Sequence, residues 1–405
     1  MLGLADELIR RGNSDGAATI LDLLTRDPDP NVRAEARFRH AKQLVGQKRN
    51  REAAVLLRRI VDEKPNASAV RLELARLLQV LGNSDAALRE LRAAQASGLP
   101  PSVARMVDRY SEALREARPM GASFEVAIAP DSNINHATRS DTLGTVLGDF
   151  EIDEDSKAKS GTGLSIRGQA YRRFRLGSGD HQMLVRMSGN GDIYAKSRFN
   201  NIAADLAAGP ELRLGRNRVN LEIAATQRWF GQKPFVRSAR IAATWARPLG
   251  LRTQVRANGS ASIVDNQLND LQDGTVYSGH VGIERALTAT TGLAFTIGGD
   301  RQSLKDAGYS TNSRRAGWVG WKHVGRMTWT VGADFGRLKA DGRLALFPEN
   351  RSDRYSQFTL GATLRQLTVH GFAPVVRFRI ERNRSTIEFY DYKRRRSEFA
   401  LVRAF

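Results

Sequence analysis

The chain has 405 residues, no cysteine and a formal net charge of +20, with 63 Lys and Arg against 43 Asp and Glu. It therefore carries neither a disulfide nor a thiolate metal site, and no apolar run approaches the roughly 20 residues of a membrane helix. The mean hydropathy is negative, as in soluble proteins but equally as in transmembrane β-barrels, whose lumen-facing residues dilute the apolar signal.

The opening stretch MLGLADELIRRGNSDGAA lacks the long apolar region and small-residue cleavage site of a secretion signal. Residues 1–119 are rich in Ala, Leu, Arg and Glu with apolar residues at helical spacing. In ASAVRLELARLLQVLG, for example, Val70, Leu74, Leu77, Leu78 and Leu81 share one face. A period is visible: Gly12, Gly46 and Gly82 fall at expected helix ends, Pro30, Pro65 and Pro100 at expected closings of the second helix of each unit, and Ala41 and Ala75 where paired helices touch. This spacing resembles the tetratricopeptide repeat, a helix–turn–helix unit of 34 residues. Ser102 is the expected N-cap of a last, capping helix running to residue 118. In this register the first repeat starts mid-helix at Met1, so residues further upstream, a secretion signal among them, are expected in the precursor. A repeat array leaves a concave groove, and Glu35, Lys42, Arg76 and Gln79 are its expected lining, either as a protein-binding surface or as a solvated helix face.

Near REARPMGAS, Pro119 and Gly121 break the helical pattern and the period changes to 2. All five tryptophans and seven of the eight tyrosines lie beyond this point. In RVNLEIAATQRWFG the apolar set Val219, Leu221, Ile223, Ala225 and Trp229 alternates with Asn220, Glu222, Thr226 and Arg228. Fourteen such runs are expected: 121–130, 161–174, 182–195, 201–214, 218–230, 235–247, 250–263, 276–286, 291–300, 314–323, 327–338, 355–366, 372–382 and 396–405. They are long for globular strands and suited to tilted membrane-spanning ones. Connections alternate between long, such as KADGRLALFPENRSDR, and short, such as RPLG and HVGR. The stretches around Phe199 and at GQKP are shorter than that rule asks. Short turns at one end and long loops at the other are the pattern of an outer-membrane barrel. An even strand number then places both barrel ends, and the helical repeats, in the periplasm.

The expected architecture is thus α + β and multidomain. An N-terminal tetratricopeptide-like α-solenoid, residues 1–119, precedes a C-terminal 14-stranded antiparallel transmembrane β-barrel, residues 120–405. A soluble sandwich or propeller is the competing fold, but it needs neither so many strands of this length nor closure.

The chain closes on EFALVRAF, with Phe399, Leu401 and Phe405 on one face at period 2. This ending resembles the C-terminal assembly signal of bacterial outer-membrane barrels, which implies the barrel-assembly machinery and outer-membrane lipid as partners. Arg403 departs from that pattern, at a rim position where a charge costs roughly 0–1 kcal/mol.

The stretch FEVAIAPDSNINHATRSDTLG ends the first strand in a polar elbow of turn-forming residues. Taken with the repeats and the barrel, APDSNIN resembles the surface lipoprotein assembly modifier family, the core of type XI secretion. The resemblance covers repeats, elbow and barrel. It implies a protein that moves client surface lipoproteins or secreted binding proteins from periplasm to cell surface, with the repeats meeting the client and the barrel handling its crossing. Pro130, Asp131, Ser132, Asn133, Ile134 and Asn135 are the residues carried over. Two other readings stand beside this one: an exopolysaccharide export porin, which also joins such repeats to an arginine-lined barrel, and a general anion-preferring porin.

Arg167, Arg228, Arg240, Arg252, Arg256, Arg377 and Arg379 fall in the lumen phase of their strands. They form either a cationic interior favouring anionic cargo or ion pairs with lumen acids such as Glu222, Asp334 and Glu381. The run GDFEIDEDSKAK concentrates five acids between Asp149 and Asp155, expected as a solvated loop. The six histidines are scattered, with no spacing for a metal site or a triad. No cofactor, enzyme activity or nucleic-acid partner is expected, and the chain is expected to be a monomer.

Overall fold

The computed structural model describes residues 1–96, 120–177, 181–250, 252–367, 369 and 372–403. Pro100, Ser102, the capping helix expected up to 118 and Phe405 lie outside the described residues, as does the side chain of Arg403.

The helical part consists of α1 (Leu2–Arg10), α2 (Ser14–Leu24), α3 (Pro30–Gly46), α4 (Asn50–Glu63), α5 (Ser68–Val80) and α6 (Ser84–Ala96). Asn13 caps α2 by accepting from the Gly16 amide at 2.9 Å, and Asp29 caps α3 by accepting from Asn31 at 2.7 Å. Pro30 opens α3 instead of closing the helix before it. It sits in the first helical turn, where its missing N–H costs nothing. Gly12 and Gly82 take φ of 80° and 94° just past α1 and α5, a conformation open to glycine, and so turn the chain back. Leu74, Leu77 and Leu78 are buried together with Leu57, Ile60 and Ala41, and Val70 and Leu81 pack against this group, so the apolar stripe is the joint between neighbouring helices.

Fourteen strands close into one antiparallel barrel. They are β1 (Met120–Asp131), β4 (Gly161–Arg175), β5 (Gln182–Tyr194), β6 (Asn201–Leu214), β7 (Asn217–Phe230), β8 (Lys233–Leu249), β9 (Thr253–Asn266), β10 (Gly274–Ala286), β11 (Thr291–Leu304), β12 (Thr311–Val324), β13 (Met327–Ala340), β14 (Ser352–Leu364), β15 (Phe372–Ser385) and β16 (Tyr392–Arg403). Every neighbour in the barrel is a neighbour in sequence, except that β1 pairs with β16. The remaining two strands, β2 (Thr142–Thr145) and β3 (Gly148–Glu151), form a hairpin inside the long β1–β4 loop.

The period-2 alternation sets the wall. Phe124, Ile128, Met187, Leu206, Ile223, Ile241, Ile263, Ile297, Phe358 and Phe399 all stand exposed on one side of it. Glu125, Asp205, Glu222, Arg240 and Glu398 alternate with them on the other. An apolar outside around a polar inside is stable only where the outside meets lipid, so this is an outer-membrane architecture. Several strands run past their expected ends on the long-loop side: β11 reaches Leu304, β14 begins at Ser352 and β16 at Tyr392. Apolar alternation stops there because lipid does, while the backbone ladder continues in water. The β7–β8 connection is only Gly231 and Gln232, with φ of 56° and 69°, a tight hairpin turn on the side of otherwise longer loops.

Candidate functional site

The elbow residues anchor the long β1–β4 loop. Asp131 ends β1 with a fully buried carboxylate that accepts from the Asn133 amide at 2.9 Å and from Arg394 of β16 at 2.5 Å. Asn133, also fully buried, donates to the Ala137 carbonyl at 2.8 Å and to the Lys393 carbonyl at 3.2 Å. Ser132 ties its amide to the Arg395 carbonyl and accepts the Arg395 amide through its hydroxyl. Ile134 packs with Tyr194 and Phe199, linking the loop to the β5–β6 connection. Asn135 donates to the Lys157 carbonyl at 2.8 Å and accepts from the Lys159 amide at 3.0 Å, which brings the loop's far end back to its start. Pro130, exposed, has no N–H to give to β16, and the ladder skips it.

Inside the barrel the same seam carries a chain of ion pairs. Arg394 also reaches Glu381 at 3.5 Å, and Arg396 holds Asp192 at 2.6 Å and Glu398 at 3.1 Å. Arg377 bridges Glu125 at 2.7 Å and Glu398 at 2.9 Å, and Arg167 contacts the same two carboxylates at 3.1 Å. Further round the wall Arg240 faces Asp205 at 3.2 Å, and Arg186 faces Glu222 at 2.8 Å. Asp334 accepts from Gln357.

The seven lumen arginines therefore divide. Arg167, Arg240 and Arg377 are neutralised by acids, and Arg379 lies 3.7 Å from Glu381. Arg228 donates to Asn201 and stacks over Phe235, with its guanidinium 5.0 Å from the ring centroid. Arg256 is exposed on the inner face of β9, and no acid partner is seen for it among the described residues. Arg252 precedes β9, in the short turn that Gly250 makes at φ 69°, so it stands at the mouth and not on the lumen wall. The opposite wall is lined mostly by small residues: Ala294, Thr296, Gly317, Thr330 and Gly332, together with Asp334, line a cavity of about 270 Å³ on β11–β13.

The helical repeats sit at the short-turn end of the barrel. Arg92 of α6 donates to Glu284 of β10 at 2.6 Å and to Gln254 of β9 at 2.7 Å. Arg365, in the turn after β14, donates to Asp62 of α4 at 2.6 Å and to the Gly325 carbonyl at 3.1 Å. Behind this contact Glu90 of α6 accepts from Arg58 of α4 and Arg71 of α5. Burial opposes ionisation of Glu90, but the two guanidinium groups outweigh it and hold its pKa at about 2. Of the expected groove residues, Glu35 and Lys42 are exposed on α3, with Glu35 binding Arg39 at 2.7 Å and the Lys42 ammonium 4.8 Å over the Phe38 ring. Arg76 and Gln79 lie half-buried on α5, with Arg76 held to Glu73 at 2.6 Å.

At the C-terminus Phe399 and Leu401 point outward from β16, 52% and 57% exposed, as a lipid-facing pair must be. The acidic run of the long loop is engaged by cations: Asp155 pairs with Arg198 at 2.9 Å, and Lys157 bonds Asp141 and Glu154 at 2.6 Å each. Inward positions on the terminal strands were legible at period 2. That Glu125, Asp131, Arg394, Arg396 and Glu398 converge was not, because the two strands lie at opposite ends of the barrel sequence.

Comparison with known proteins turns on the barrel half. A family profile described as "Surface lipoprotein assembly modifier" matches residues 122–405. The chain belongs to that family. A tetratricopeptide-repeat profile matches residues 44–109. Surface lipoprotein assembly modifier 1 of Neisseria meningitidis serogroup B is 24% identical over 192 residues, 46% of this chain and 37% of the relative. Surface lipoprotein assembly modifier of Moraxella catarrhalis is 25% identical over 184 residues, 44% and 34% of the two chains. The chain thus spans little more than a third of the length of the curated relatives it matches. Among solved structures, the outer membrane channel DcaP of Acinetobacter baumannii overlays with a TM-score of 0.43 at 10% identity, covering 70% of this chain and 96% of that one. A bacterial polysaccharide outer membrane secretin overlays at 0.36 and 12% identity, covering 70% and 98%.

Proposed function

We propose that this family member is an outer-membrane translocator that delivers client surface lipoproteins, or secreted binding proteins, from the periplasm to the cell surface. In this reading residues 1–119 form a periplasmic client-binding domain and residues 120–405 the conduit. The groove of Glu35, Lys42, Arg76 and Gln79 meets the client. Pro130 to Asn135 fix the long outer loop, and Phe399, Leu401 and Phe405 address the barrel-assembly machinery. Family membership over the whole barrel carries the reading. The seating of the repeats against the short-turn mouth supports it, since a client held there enters the lumen directly. The pairing of most lumen arginines with acids weakens the attraction for a polyanionic polymer that an export porin or an anion-preferring porin would need.

The test is metabolic palmitate labelling followed by protease shaving of intact cells, with and without the gene. At least one acylated protein should lose its protease sensitivity when the gene is deleted. An unchanged acylated pattern together with loss of secreted polymer would replace this function by polysaccharide export.

A further inference from the structure

The outer face of β12–β15 carries a feature that protein translocation does not use. Arg314 is directly opposite Arg337, Arg337 opposite Arg354, and Arg354 opposite Arg384. Four arginines thus form one row across four adjacent strands, all exposed. They share the outward phase of Phe335 and Phe358, which lie just below them as an edge-to-face pair with centroids 5.7 Å apart. Directly opposed side chains on paired strands stand about 5 Å apart, and like charges so placed repel. None of the four has an acidic partner among the described residues. The contrast with their neighbours is direct. Arg301 of β11 is clamped by Asp341 with two bonds of 2.6 Å, and Arg382 of β15 is bound by Asp391.

Height decides what can neutralise the row. On β13 the outward Trp329 lies near the short-turn end, and Arg337 lies eight positions further on. At the tilt of barrel strands this separates them by roughly 20 Å along the membrane normal, close to the apolar band of an outer-membrane barrel. The row therefore sits where acyl chains end and headgroups begin, on the long-loop side. Arginine forks match phosphate oxygens two at a time, which suits guanidinium groups lying side by side.

We infer that this row is a binding site for the phosphorylated headgroup of an outer-leaflet lipid, lipid A in character, with Phe335 and Phe358 against its acyl chains. The assignment rests on the proposed orientation, with the long loops outside. The lipid's phosphates supply the anions the row lacks, and the site fixes the barrel's height and rotation in an asymmetric membrane.

The experiment uses the purified full chain in detergent, with bis-phosphorylated lipid A as the probe and native mass spectrometry as the readout. Unheated gel migration confirms closed barrels. Lipid A should remain bound, and the Arg337→Gln/Arg354→Gln variant should bind it roughly tenfold or more weakly. Arg314→Gln/Arg384→Gln serves as an independent second variant with the same expectation. Arg301→Gln should stay within about twofold of the parent, because its guanidinium is already paired. Dephosphorylated lipid A should bind as weakly as the double variants do. Equal binding by parent and both double variants, or equal binding of dephosphorylated lipid A, overturns the proposal. Pyrophosphate held as tightly as lipid A assigns the row to free phosphate, and arginine-dependent binding of polyglutamate without lipid A assigns it to a protein; either overturns the lipid. The orientation is read separately, with Leu147→Cys in the β2–β3 hairpin and a membrane-impermeant maleimide on intact cells. Labelling at this position without lipid A binding sinks the site alone. Lipid A binding without labelling sinks the orientation, and with it the outer-leaflet assignment.

Discussion

The β1–β16 junction and most other junctions of the barrel are built differently. Between β10 and β11, or β12 and β13, the rungs follow one another down the strands and the side chains need only alternate, whereas the β6–β7 ladder skips Gly209 and Pro210. At the seam the ladder runs Val126–Leu401, Ala127–Ala400 and Ile128–Phe399, then skips Ala129 and Pro130 before resuming at Asp131–Arg396. The skipped stretch is bridged from inside by Arg394, Arg396 and Arg377 on Asp131, Glu125 and Glu398. Where backbone pairing is interrupted at the seam, charged side chains take over the closure, and they specify one register because a slip would break several shared ion pairs at once.

The most direct way to break this comparison is Asp131→Ala. It leaves buried Arg394 with only its longer contact to Glu381 at 3.5 Å, an expected loss of about 3–5 kcal/mol, read as a lower temperature of gel-mobility shift in detergent. Asp205→Ala, which frees Arg240 where the local rungs are unbroken, should cost about 1 kcal/mol or less. Equal losses would show that the seam is nothing special.

The repeats offer the same device in water, since Glu90 joins α4, α5 and α6 through Arg58 and Arg71. Glu90→Gln should lower the helical melting transition by about 2–4 kcal/mol. The folded carboxyl titrates at about 2 against 4.5 in the open chain. Its contribution is therefore complete above 4.5 and is lost as pH falls through about 2. Over that window the parent should lose stability faster than Glu90→Gln, and parallel pH profiles would refute the pairing.

Cysteine pairs sharpen the comparison, because the chain has no cysteine of its own. Ala127→Cys/Ala400→Cys crosses the seam, and Ala207→Cys/Ala224→Cys crosses β6–β7 at a similarly buried pair of alanines. Oxidation should stabilise the first by about 1–2 kcal/mol more, because it closes a far longer loop. The smallest effect is expected at Arg256, exposed in the lumen. Arg256→Gln should change stability by no more than about 0.5 kcal/mol while lowering anion preference in planar-bilayer conductance.

Strand number and the inward or outward phase of each residue were legible because lipid on one side and water on the other impose a strict period of 2. Strand ends were less legible, since above the membrane pairing persists after the alternation stops, as at Arg301 to Leu304. The elbow was visible as turn chemistry, but not that Asn133 ties down the Lys393 carbonyl. Nor was the arginine row visible: its members are spread over 70 residues, and only the strand register brings them to one height. Among the lumen arginines sequence gave the phase, whereas which acid each would meet depended on neighbours across the sheet.

Asp131 and Arg394 stand 263 positions apart in the chain. All the other strand pairs form between consecutive segments and can zip as successive hairpins, while the last joint must bring together the two most distant strands. Entropy of loop closure makes that joint late and slow. Until it forms, β1 and β16 present raw edges open to wrong partners. The charge ladder recognises its mate at that final moment, so variants of Asp131 should accumulate as unclosed sheets during biogenesis before any loss is seen in the finished barrel.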